Sequence, residues 1–360
     1  MKKIIFATAI GLSLFASSSV FSQDEPYEIF TQPDHGPGNV AVSSEGRVFI
    51  TLHQAFDPET HVVEVFSDGT HKPFPSEDWQ NEINTEGVGF VAPLGIQVDQ
   101  NNTLWVIDNG STPPRLVGWD LTQDKLSKVL ALPQPVTGNA SFVNDVAIDL
   151  KHNAAYFADM VGDEGPAIIV ADLDTHQVRR VLIDHPSVQA EPDAKMIIEG
   201  REVRRRDGQP HSNGLNPITL DHNSEWVYYG AMHGTSLYRI KTADLLNTDL
   251  SEEALGQRVE RYGDKPVSDG ITIDHAGNVY ITDVTGMGIG VTKPDGSYEL
   301  LFSDETLIWP DSLSIGPDNM IYAAINQLNR AADLNAGEDI SEPPFMVIRF
   351  PALTDASVGR

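Results

Sequence analysis

The segment Asp269-Gly-Ile-Thr-Ile-Asp-His-Ala-Gly-Asn-Val-Tyr-Ile-Thr-Asp283 decides the fold, because the chain repeats its pattern six times. Each copy has a short opening, an alternating apolar strand, a tight turn and a second apolar strand. The other copies begin at Asn39, Leu94, Asn144, Asn213 and Asp311. A repeat of roughly 40–70 residues built from short strands predicts small sheets stacked around a common axis. The predicted fold class is therefore all-β, a six-bladed β-propeller.

The last copy lacks an outer strand of its own. It contains only the strand-like segments Asp311–Ile315, Met320–Ile325 and Phe345–Phe350, whereas Tyr27–Phe30 precedes the first copy without a partner. We predict that this N-terminal strand completes the last blade, which joins the two ends of the chain and removes a free sheet edge.

The first residues and the composition indicate an exported protein. Residues 1–22 have the features of a signal peptide, with Lys2 and Lys3 before an apolar stretch too short to span a bilayer. We expect a secreted or periplasmic protein with a single propeller domain over residues 23–360. The absence of cysteine excludes thiol catalysis, disulfides and thiolate metal sites. The formal charge of −28 argues against nucleic acid and anionic membranes as partners.

The hairpin in each copy brings two kinds of residue to one face of the disc. A first strand starts at that face, and the second strand runs back to it. The strand starts lie nearest the axis, with the second-strand ends around them. The starts are Asn39, Asn144, Asn213, Asp269 and Asp311, and the ends are Asp108, Asp159, His233, Asp283 and Asn326.

Carboxylate and amide oxygens dominate the strand starts, which favours a hard cation, chiefly Ca²⁺. We expect Asn144, Asn213 and Asp269 to hold the metal, with Asp269 or Asp311 positioning or activating water. Asn39 is a further ligand-binding candidate at this mouth. The alternative role for these Asn and Asp residues is to cap strand ends and allow tight entries.

The second-strand ends favour a different role. Asp108, Asp159 and Asp283 recur in similar phrases, and we predict that they accept backbone N–H bonds from neighbouring loops rather than take part in catalysis. His233 breaks this pattern and is the best general-base candidate, although a packed histidine is the alternative. Trp309 is a candidate wall of a ligand pocket, with core packing as its alternative role.

One basic cluster stands out in an otherwise acidic chain. Arg201, Arg204, Arg205 and Arg206 lie in the long connection to the fourth copy. We expect an ion-paired or solvated loop face, with an anion-binding lip as the alternative.

Several segments together resemble the yellow / major royal jelly protein family, in the bacterial form related to dopachrome tautomerase. The resemblance rests on Thr-Leu-Trp-Val-Ile-Asp-Asn-Gly (103–110), Ala-Tyr-Phe-Ala-Asp (155–159), Val-Tyr-Tyr-Gly-Ala-Met-His-Gly-Thr-Ser-Leu-Tyr-Arg-Ile (227–240), Ser-Asp-Gly-Ile (268–271) and Trp-Pro-Asp-Ser-Leu (309–313). It implies a secreted six-bladed propeller whose channel suits small aromatic amines or other small molecules.

The inner ring also resembles the calcium-dependent SMP-30/gluconolactonase group, which surrounds its metal with a Glu, two Asn and an Asp. Asn144, Asn213 and Asp269 stand in matching phrases. Asn39 stands where that group has its glutamate, and Glu86 or Asp311 would have to replace it. Glu86 is for this reason a ligand-binding candidate.

These observations leave several functions open. The first is a calcium-assisted hydrolase of a lactone or similar ester, and the second is a secreted protein that binds a small molecule without chemistry. The third is a dopachrome-type tautomerase that uses His233 as its proton shuttle, and the fourth is a scaffold for a protein partner. The chain contains no Gly-x-Ser-x-Gly elbow, phosphate-binding glycine loop or His-Glu-x-x-His helix, so those enzyme classes have no local support.

Overall fold

The computed structural model describes residues 25–359, and the signal peptide predicted over residues 1–22 lies outside this range. Within it, six four-stranded antiparallel sheets form the blades of a propeller. The innermost strands of successive blades contact one another in a closed ring. The predicted fold class is confirmed.

The strands follow the repeat seen in the sequence. Blade one has β2 (Pro37–Val42), β3 (Val48–Leu52), β4 (Val62–Val65) and β5 (His71–Pro73), and blade two has β6 (Pro93–Val98), β7 (Thr103–Asp108), β8 (Arg115–Asp120) and β9 (Lys125–Ala131). Blade three has β10 (Val143–Asp149), β11 (Ala154–Asp159), β12 (Ala167–Asp172) and β13 (Val178–Val181). A two-stranded ribbon of β14 (Ile197–Ile198) and β15 (Arg201–Glu202) precedes blade four.

The remaining blades complete the ring. Blade four has β16 (Leu215–Leu220), β17 (Trp226–Ala231), β18 (Ser236–Lys241) and β19 (Glu260–Asp264), and blade five has β20 (Ile271–Ile273), β21 (Val279–Asp283), β22 (Gly288–Thr292) and β23 (Tyr298–Ser303). Blade six has β24 (Pro310–Ile315), β25 (Met320–Ile325), β26 (Met346–Pro351) and the N-terminal β1 (Glu28–Thr31).

Helical structure is confined to short segments. These are α1 (Thr242–Leu246), α2 (Glu252–Gly256) and the 3₁₀ turns Gln54–Phe56, Glu77–Gln80 and Leu328–Arg330. Over the described range, no helix has the length and apolar character needed to cross a membrane.

The N-terminal strand closes the ring as predicted. β1 pairs antiparallel with β26, Glu28 opposite Arg349 and Ile29 opposite Ile348. The side chains of Glu28 and Arg349 also form an ion pair. Because β1 covers the outer edge of β26, the last blade gains its fourth strand from the other end of the chain.

The core lies between the blades. Because the ring is closed, every blade has a neighbour on both faces, and strands such as β7 and β11 are buried along their whole length. Tyr156 of blade three and Tyr229 of blade four belong to one such interblade cluster. The sequence accordingly shows near-continuous apolar runs in these strands.

The innermost strands share one irregularity. In five blades the pairing between the first and second strands gains one residue on the inner strand, as between Val143 and Val146 of β10. This is the geometry of a β-bulge, which redirects the side chains of the extra residue and its neighbour. Each bulge lies near the start of its strand, where the sequence places the polar residues of the mouth.

Two long loops cross-link over this face. The connection before blade four and the loop inside blade six join through a parallel bridge between Arg204 and Asn335. Arg206 pairs with Asp333 at 2.8 Å, and Arg330 with Glu199 at 2.6 Å. Arg204 and Arg205 pair with acidic neighbours in their own loop. Three of the four arginines of this cluster are thus ion-paired, in line with the ion-paired or solvated loop face expected from the sequence.

Candidate functional site

The bulges arrange the inner residues in two tiers around the axis. The upper tier consists of the first bulge residue of each blade and its blade-five counterpart: Gly38, Leu94, Asn144, Asn216, Asp269 and Asp311. The lower tier consists of the residues that follow: Asn39, Gly95, Asp145, Pro217, Gly270 and Ser312. Four upper-tier residues line a large cavity and four lower-tier residues line a smaller one beneath it.

This register changes two expected members of the inner ring. Asn216 rather than Asn213 stands in the upper tier of blade four, since Ile218 is the first paired residue after the bulge. In blade one the corresponding upper-tier residue is Gly38 rather than Asn39, because Val40 is the first paired residue after the bulge. A one-residue shift along a strand turns a side chain to the other side. Asn39 therefore belongs to the lower tier.

The large cavity, about 310 Å³ in volume, opens at the mouth of the channel. The structure brings five predicted site residues to its wall: Asn144, Asn213, Asp269, Trp309 and Asp311. Its apolar lining includes Leu94, Phe142, Met160, Met232, Leu328 and Leu334. His53, His211 and Asp333 add polar groups. The cavity therefore has a polar floor and largely apolar walls.

A chain of hydrogen bonds fixes the floor. The Trp309 indole Nε1–H donates to Asp269 Oδ2 at 2.6 Å, and the Asn216 amide donates to Asp269 Oδ1. The Asn144 amide donates in turn to Asn216 Oδ1. Asn144 Oδ1 is left buried without a partner in the described part of the chain. This chain of hydrogen bonds thus ends at Asn144, whose Oδ1 has no hydrogen-bond donor among the described residues.

Asp311 is held from both sides. Asn39 Nδ2 donates to Asp311 Oδ1 at 3.2 Å, and Asn326 Nδ2 donates to Asp311 Oδ2 at 2.6 Å. Asn326 is itself oriented, because its Oδ1 accepts the Leu328 backbone N–H at 2.9 Å. Asn39 therefore acts as a support of the floor from the lower tier.

Burial makes the floor electrostatically unusual. Burial raises the pKa of Asp269 to about 7, although hydrogen bonds from Trp309 and Asn216 oppose the shift. Burial also raises the pKa of Asp311 well above its ordinary value, and the charges of Asp269 and Asp145 add to this effect. The pKa of Asp145 is raised by burial and by Asp269. Ionisation of one of these three carboxyl groups therefore disfavours ionisation of its neighbours.

Positive charge is scarce near this floor. None of the described residues that line the large cavity is a lysine or an arginine. The nearby Lys265 is buried, and its Nζ donates to Gly234 O, Pro266 O and Ser268 Oγ at 2.8–3.0 Å. Burial lowers the pKa of Lys265 to about 7. Lys265 therefore supports two loops and compensates the floor only in part.

His233 does not reach the cavity. The side chain is 1% exposed, and its Nδ1 accepts the Asn213 backbone N–H at 3.0 Å. Burial lowers its pKa to about 4, so the imidazole is neutral at physiological pH. His211 stands in its place at the cavity wall, with its ring centroid 5.1 Å from that of His233. The imidazoles at the cavity wall, His53 and His211, are thus ones that the sequence did not single out.

Glu86 also lies away from the cavity. It is exposed in the turn after Asn84, whose side chain accepts the Glu86 backbone N–H at 2.9 Å. It is not among the lining residues of the large cavity. The structure therefore gives Glu86 no contact with the other site candidates.

The second-strand aspartates have the architectural role predicted for them. Asp108 accepts the Ala92 and Gly110 backbone N–H groups at 3.0 and 3.2 Å, and Asp283 accepts that of Gly286 at 2.6 Å. Asp159 accepts the Phe142 N–H at 3.1 Å and pairs with Arg180 at 3.0 Å. These bonds tie the mouth loops to the blades.

A cation at the floor would rely on mixed oxygen ligands. Within residues 25–359, no group of three or more histidine, aspartate or glutamate side chains is arranged to hold a metal ion. The available oxygens are those of Asn144, Asp269 and Asp311, with Asn213 at the same cavity. This donor set fits a hard cation and gives no sulfur ligand for a soft one.

Comparison with known proteins identifies the family. A model of the major royal jelly protein family matches residues 91–349. The chain belongs to the major royal jelly protein family. Major royal jelly protein 1 of Apis mellifera is 25% identical to it over 50% of the chain and 43% of the relative. This family member thus aligns with less than half the length of that relative.

Solved propellers share the architecture of this royal jelly family member. A gluconolactonase from Xanthomonas campestris superposes with a TM-score of 0.55 and 11% identity, over 91% of this chain and 94% of the other. A regucalcin from Agrobacterium tumefaciens, described as a calcium-binding protein, superposes with a TM-score of 0.54 and 11% identity, over 93% and 97%. At this identity the likeness shows the fold alone.

Polar residues of the site that were not singled out from the sequence include Asn216, Asp145, His53, His211 and Asp333. For Asn216 a signal existed, because it stands two residues before Ile218, as Asp269 stands two residues before Ile271. Counting back from the first paired apolar residue would have found it. For His211 no local signal existed, since a loop brings it to the cavity.

Proposed function

We propose that this protein binds a small molecule that carries, or is accompanied by, a positive charge in the axial cavity. The observation that carries the proposal is the floor, where Asp269 and Asp311 lie buried and the charge of Asp145 in the lower tier acts on Asp311. A cation there would interact with carboxylates in surroundings of low dielectric, where the attraction is stronger than in water. It would also remove the electrostatic conflict among the three groups.

The walls favour an organic cation with an apolar body. Trp309, Phe142 and Met160 offer aromatic and thioether surfaces around a volume that suits a small ligand. An aromatic amine, the class that the family resemblance suggests, would direct its ammonium group to Asp269 and Asp311. Its ring would contact the apolar wall. Binding without chemistry is the simplest function that this arrangement supports.

The test is a thermal-shift and calorimetric titration with paired ligands. Phenethylamine and its neutral analogue 2-phenylethanol have similar bodies but differ in charge. We expect the amine to bind more tightly and to raise the melting temperature, since a ligand at 100 times its Kd stabilises by about 2.7 kcal/mol. Asp269→Asn should weaken amine binding, whereas Asp295→Asn on an exposed turn should not. Equal shifts of the melting temperature with the two ligands would refute the proposal.

One observation favours a second function, calcium-assisted hydrolysis of a lactone or ester. Asn144 Oδ1 is a buried acceptor without a partner, next to the ring of carboxyl groups. Asn144, Asn213 and Asp269 would hold the ion, with Asp311 nearby. Calcium when bound would supply Lewis-acid polarisation of a carbonyl oxygen. Asp269 or Asp311 would position or activate the attacking water.

Elemental analysis and a lactone assay separate the two functions. The hydrolase predicts calcium that exchanges with chelator and turnover that is lost and regained with it. Asp269→Ala should abolish both calcium exchange and turnover. Turnover that persists in chelator, or in this variant, would exclude calcium assistance by these residues. His233→Gln tests the tautomerase hypothesis separately, and an unchanged rate would remove His233 as its proton shuttle.

Export is part of the proposal. The apolar stretch within residues 1–22 predicts cleavage before Gln23. Mass spectrometry of protein recovered from the medium or periplasm should show a mature chain that starts at Gln23. An intact Met1 in all fractions would contradict export by this route.

A further inference from the structure

A second, smaller cavity of about 40 Å³ lies on the axis below the floor. All six innermost strands contribute to it, and its polar lining consists of the side chains of Asn39, Gln97, Asp145, Thr219, Ser312 and Ser314. We call this space the axial chamber. A water molecule needs about 10–15 Å³ measured in this way, so the chamber has room for an ion with one or two waters.

Asp145 is the charged group of the axial chamber, and it has no partner. No described side chain or backbone N–H donates to its carboxylate, and no described cation pairs with it. Asp145 is half-buried, and a carboxylate withdrawn from bulk water without compensation is costly. A cation in the axial chamber would supply the partner that Asp145 lacks.

The neutral oxygens around Asp145 are already oriented. Ser312 Oγ accepts the Val40 N–H at 2.8 Å, and Ser314 Oγ accepts the Val42 N–H at 3.1 Å. Gln97 Oε1 accepts the Ile148 N–H at 2.9 Å. These bonds join adjacent blades and fix the oxygens in place. An oxygen with two lone pairs can accept one such bond and still face a cation.

The C-terminal residues close the far end of the axial chamber. Gly359 lines it, donates its N–H to Ile315 O at 2.8 Å and accepts from Gln97 Nε2 at 2.8 Å. Its φ of +75° and its contact with Val98 O leave no room for a Cβ atom. The Asn39–Asp311 hydrogen bond stands between the chamber and the large cavity. Exchange with solvent should therefore be slow at both ends.

We propose that the axial chamber holds one occluded hard cation, sodium or calcium, with Asp145 as its charged ligand. Oxygen ligands of this kind are typical of both ions, and the chamber offers no nitrogen or sulfur donor that would select another. The ion would lie among polar side chains from five of the six inner strands. It is distinct from any ion in the large cavity, which opens to solvent at the mouth.

The test measures tightly held metal in the full-length protein. The protein is dialysed in its native state against chelator in sodium-free buffer, and its sodium and calcium are then determined by elemental analysis. We expect about one equivalent of one of these ions in the wild type, released only on unfolding. Asp269→Asn should retain it, because that residue belongs to the large cavity, whereas Asp145→Asn should lose it.

Two further measurements keep the proposal testable if Asp145→Asn fails to fold. Removal of residues 353–360 opens the far end, so the ion should then leave during dialysis without unfolding. Asp295→Asn serves as the control for loss of an exposed carboxylate. Wild type without either ion would overturn the proposal and assign the chamber to water and a protonated Asp145. Full retention in Asp145→Asn or in the truncated protein would overturn it equally.

This outcome is independent of the proposed function. A retained ion together with a failed amine or lactone assay would support the axial chamber and reject the function. Exchangeable calcium without a retained ion would support the calcium-assisted function and reject the ion in the axial chamber.

Discussion

Replacing Asp269 by asparagine should stabilise the ligand-free protein at alkaline pH and not at acid pH. The side chain is 3% exposed, and burial raises its pKa from 3.8 to about 7. Because folding raises this pKa, the stability that the protonated carboxyl confers is fully present below about pH 4 and is lost progressively as the pH rises through about 7. Asparagine cannot ionise and escapes this loss.

The size of the effect follows from the pKa shift. About three pKa units at about 1.4 kcal/mol each give an upper limit of about 4 kcal/mol at pH 8. The unfolding entropy of a chain of this length converts this figure into a melting-temperature increase of roughly 6 °C or less. Removal of the Asp269 charge also relieves Asp311 and Asp145, whose pKa values it raises.

The hydrogen bonds of the floor should survive this substitution. An asparagine at position 269 can accept from Trp309 Nε1 through its oxygen and donate to Asn216. The side-chain amides of Asn216 and Asn144 then both flip, so that the oxygen and nitrogen of each amide exchange places. The oxygen and nitrogen of an amide have nearly the same shape, which allows this exchange. In this arrangement Asn144 Oδ1, unpartnered in the wild type, accepts from Asn216. The charge changes while the number of bonds is kept.

Thermal melts of wild type and variant at several values between pH 4 and pH 8 provide the assay. We expect the melting temperatures of variant and wild type to be nearly equal at pH 4, and the variant to melt at the higher temperature at pH 8. Asp295→Asn controls for loss of an exposed carboxylate and should show no such trend. A variant that is less stable by the same amount at every pH would refute the electrostatic account of the floor.

Three further changes test other parts of the structure. Trp309→Phe removes a hydrogen-bond donor to Asp269, so it should raise the pKa of Asp269 and lower the stability of the protein by about 1–3 kcal/mol. It should also weaken cation binding, and unchanged binding in calorimetry would contradict this. Asp159→Asn leaves buried Arg180 unpaired and should cost about 3–5 kcal/mol in denaturant melts with ligand affinity intact. Deletion of residues 25–31 removes β1 and should lower the melting temperature and increase light scattering, and an unchanged melt would argue against closure by that strand.

The fold was predictable because its determinants are local and repeated. Alternating apolar residues and turn residues specify each hairpin, and six copies specify the ring. Even the closure could be inferred, since Tyr27–Phe30 had no partner and the last copy lacked a strand. The role of Asp108, Asp159 and Asp283 was likewise predictable, because carboxylates that follow strands at recurring positions serve loop attachment.

The membership of the site was only partly predictable, for two physical reasons. Asn39 lies one residue after the upper-tier position of its blade and Asn213 lies three residues before it, so the match of these residues to neighbouring phrases did not give the correct register. Loops then decide which imidazoles line the cavity, where His53 and His211 lie and His233 does not. The pKa shifts of the floor arise from burial by all six blades, which no local segment contains.

The upper tier is divided into two halves, and this division should orient a ligand. Blades one and two contribute Gly38 and Leu94, whereas the four following blades contribute Asn144, Asn216, Asp269 and Asp311. The charged part of a ligand of the proposed kind would face blades five and six, and its apolar part would lie towards Leu94 and Phe142. Since a bulge residue can change without altering the strands that pack between blades, the mouth can gain a new specificity at little cost to the fold. Leu94→Asn would test this directly: it should weaken binding of the aromatic amine while leaving the affinity for a small inorganic cation unchanged.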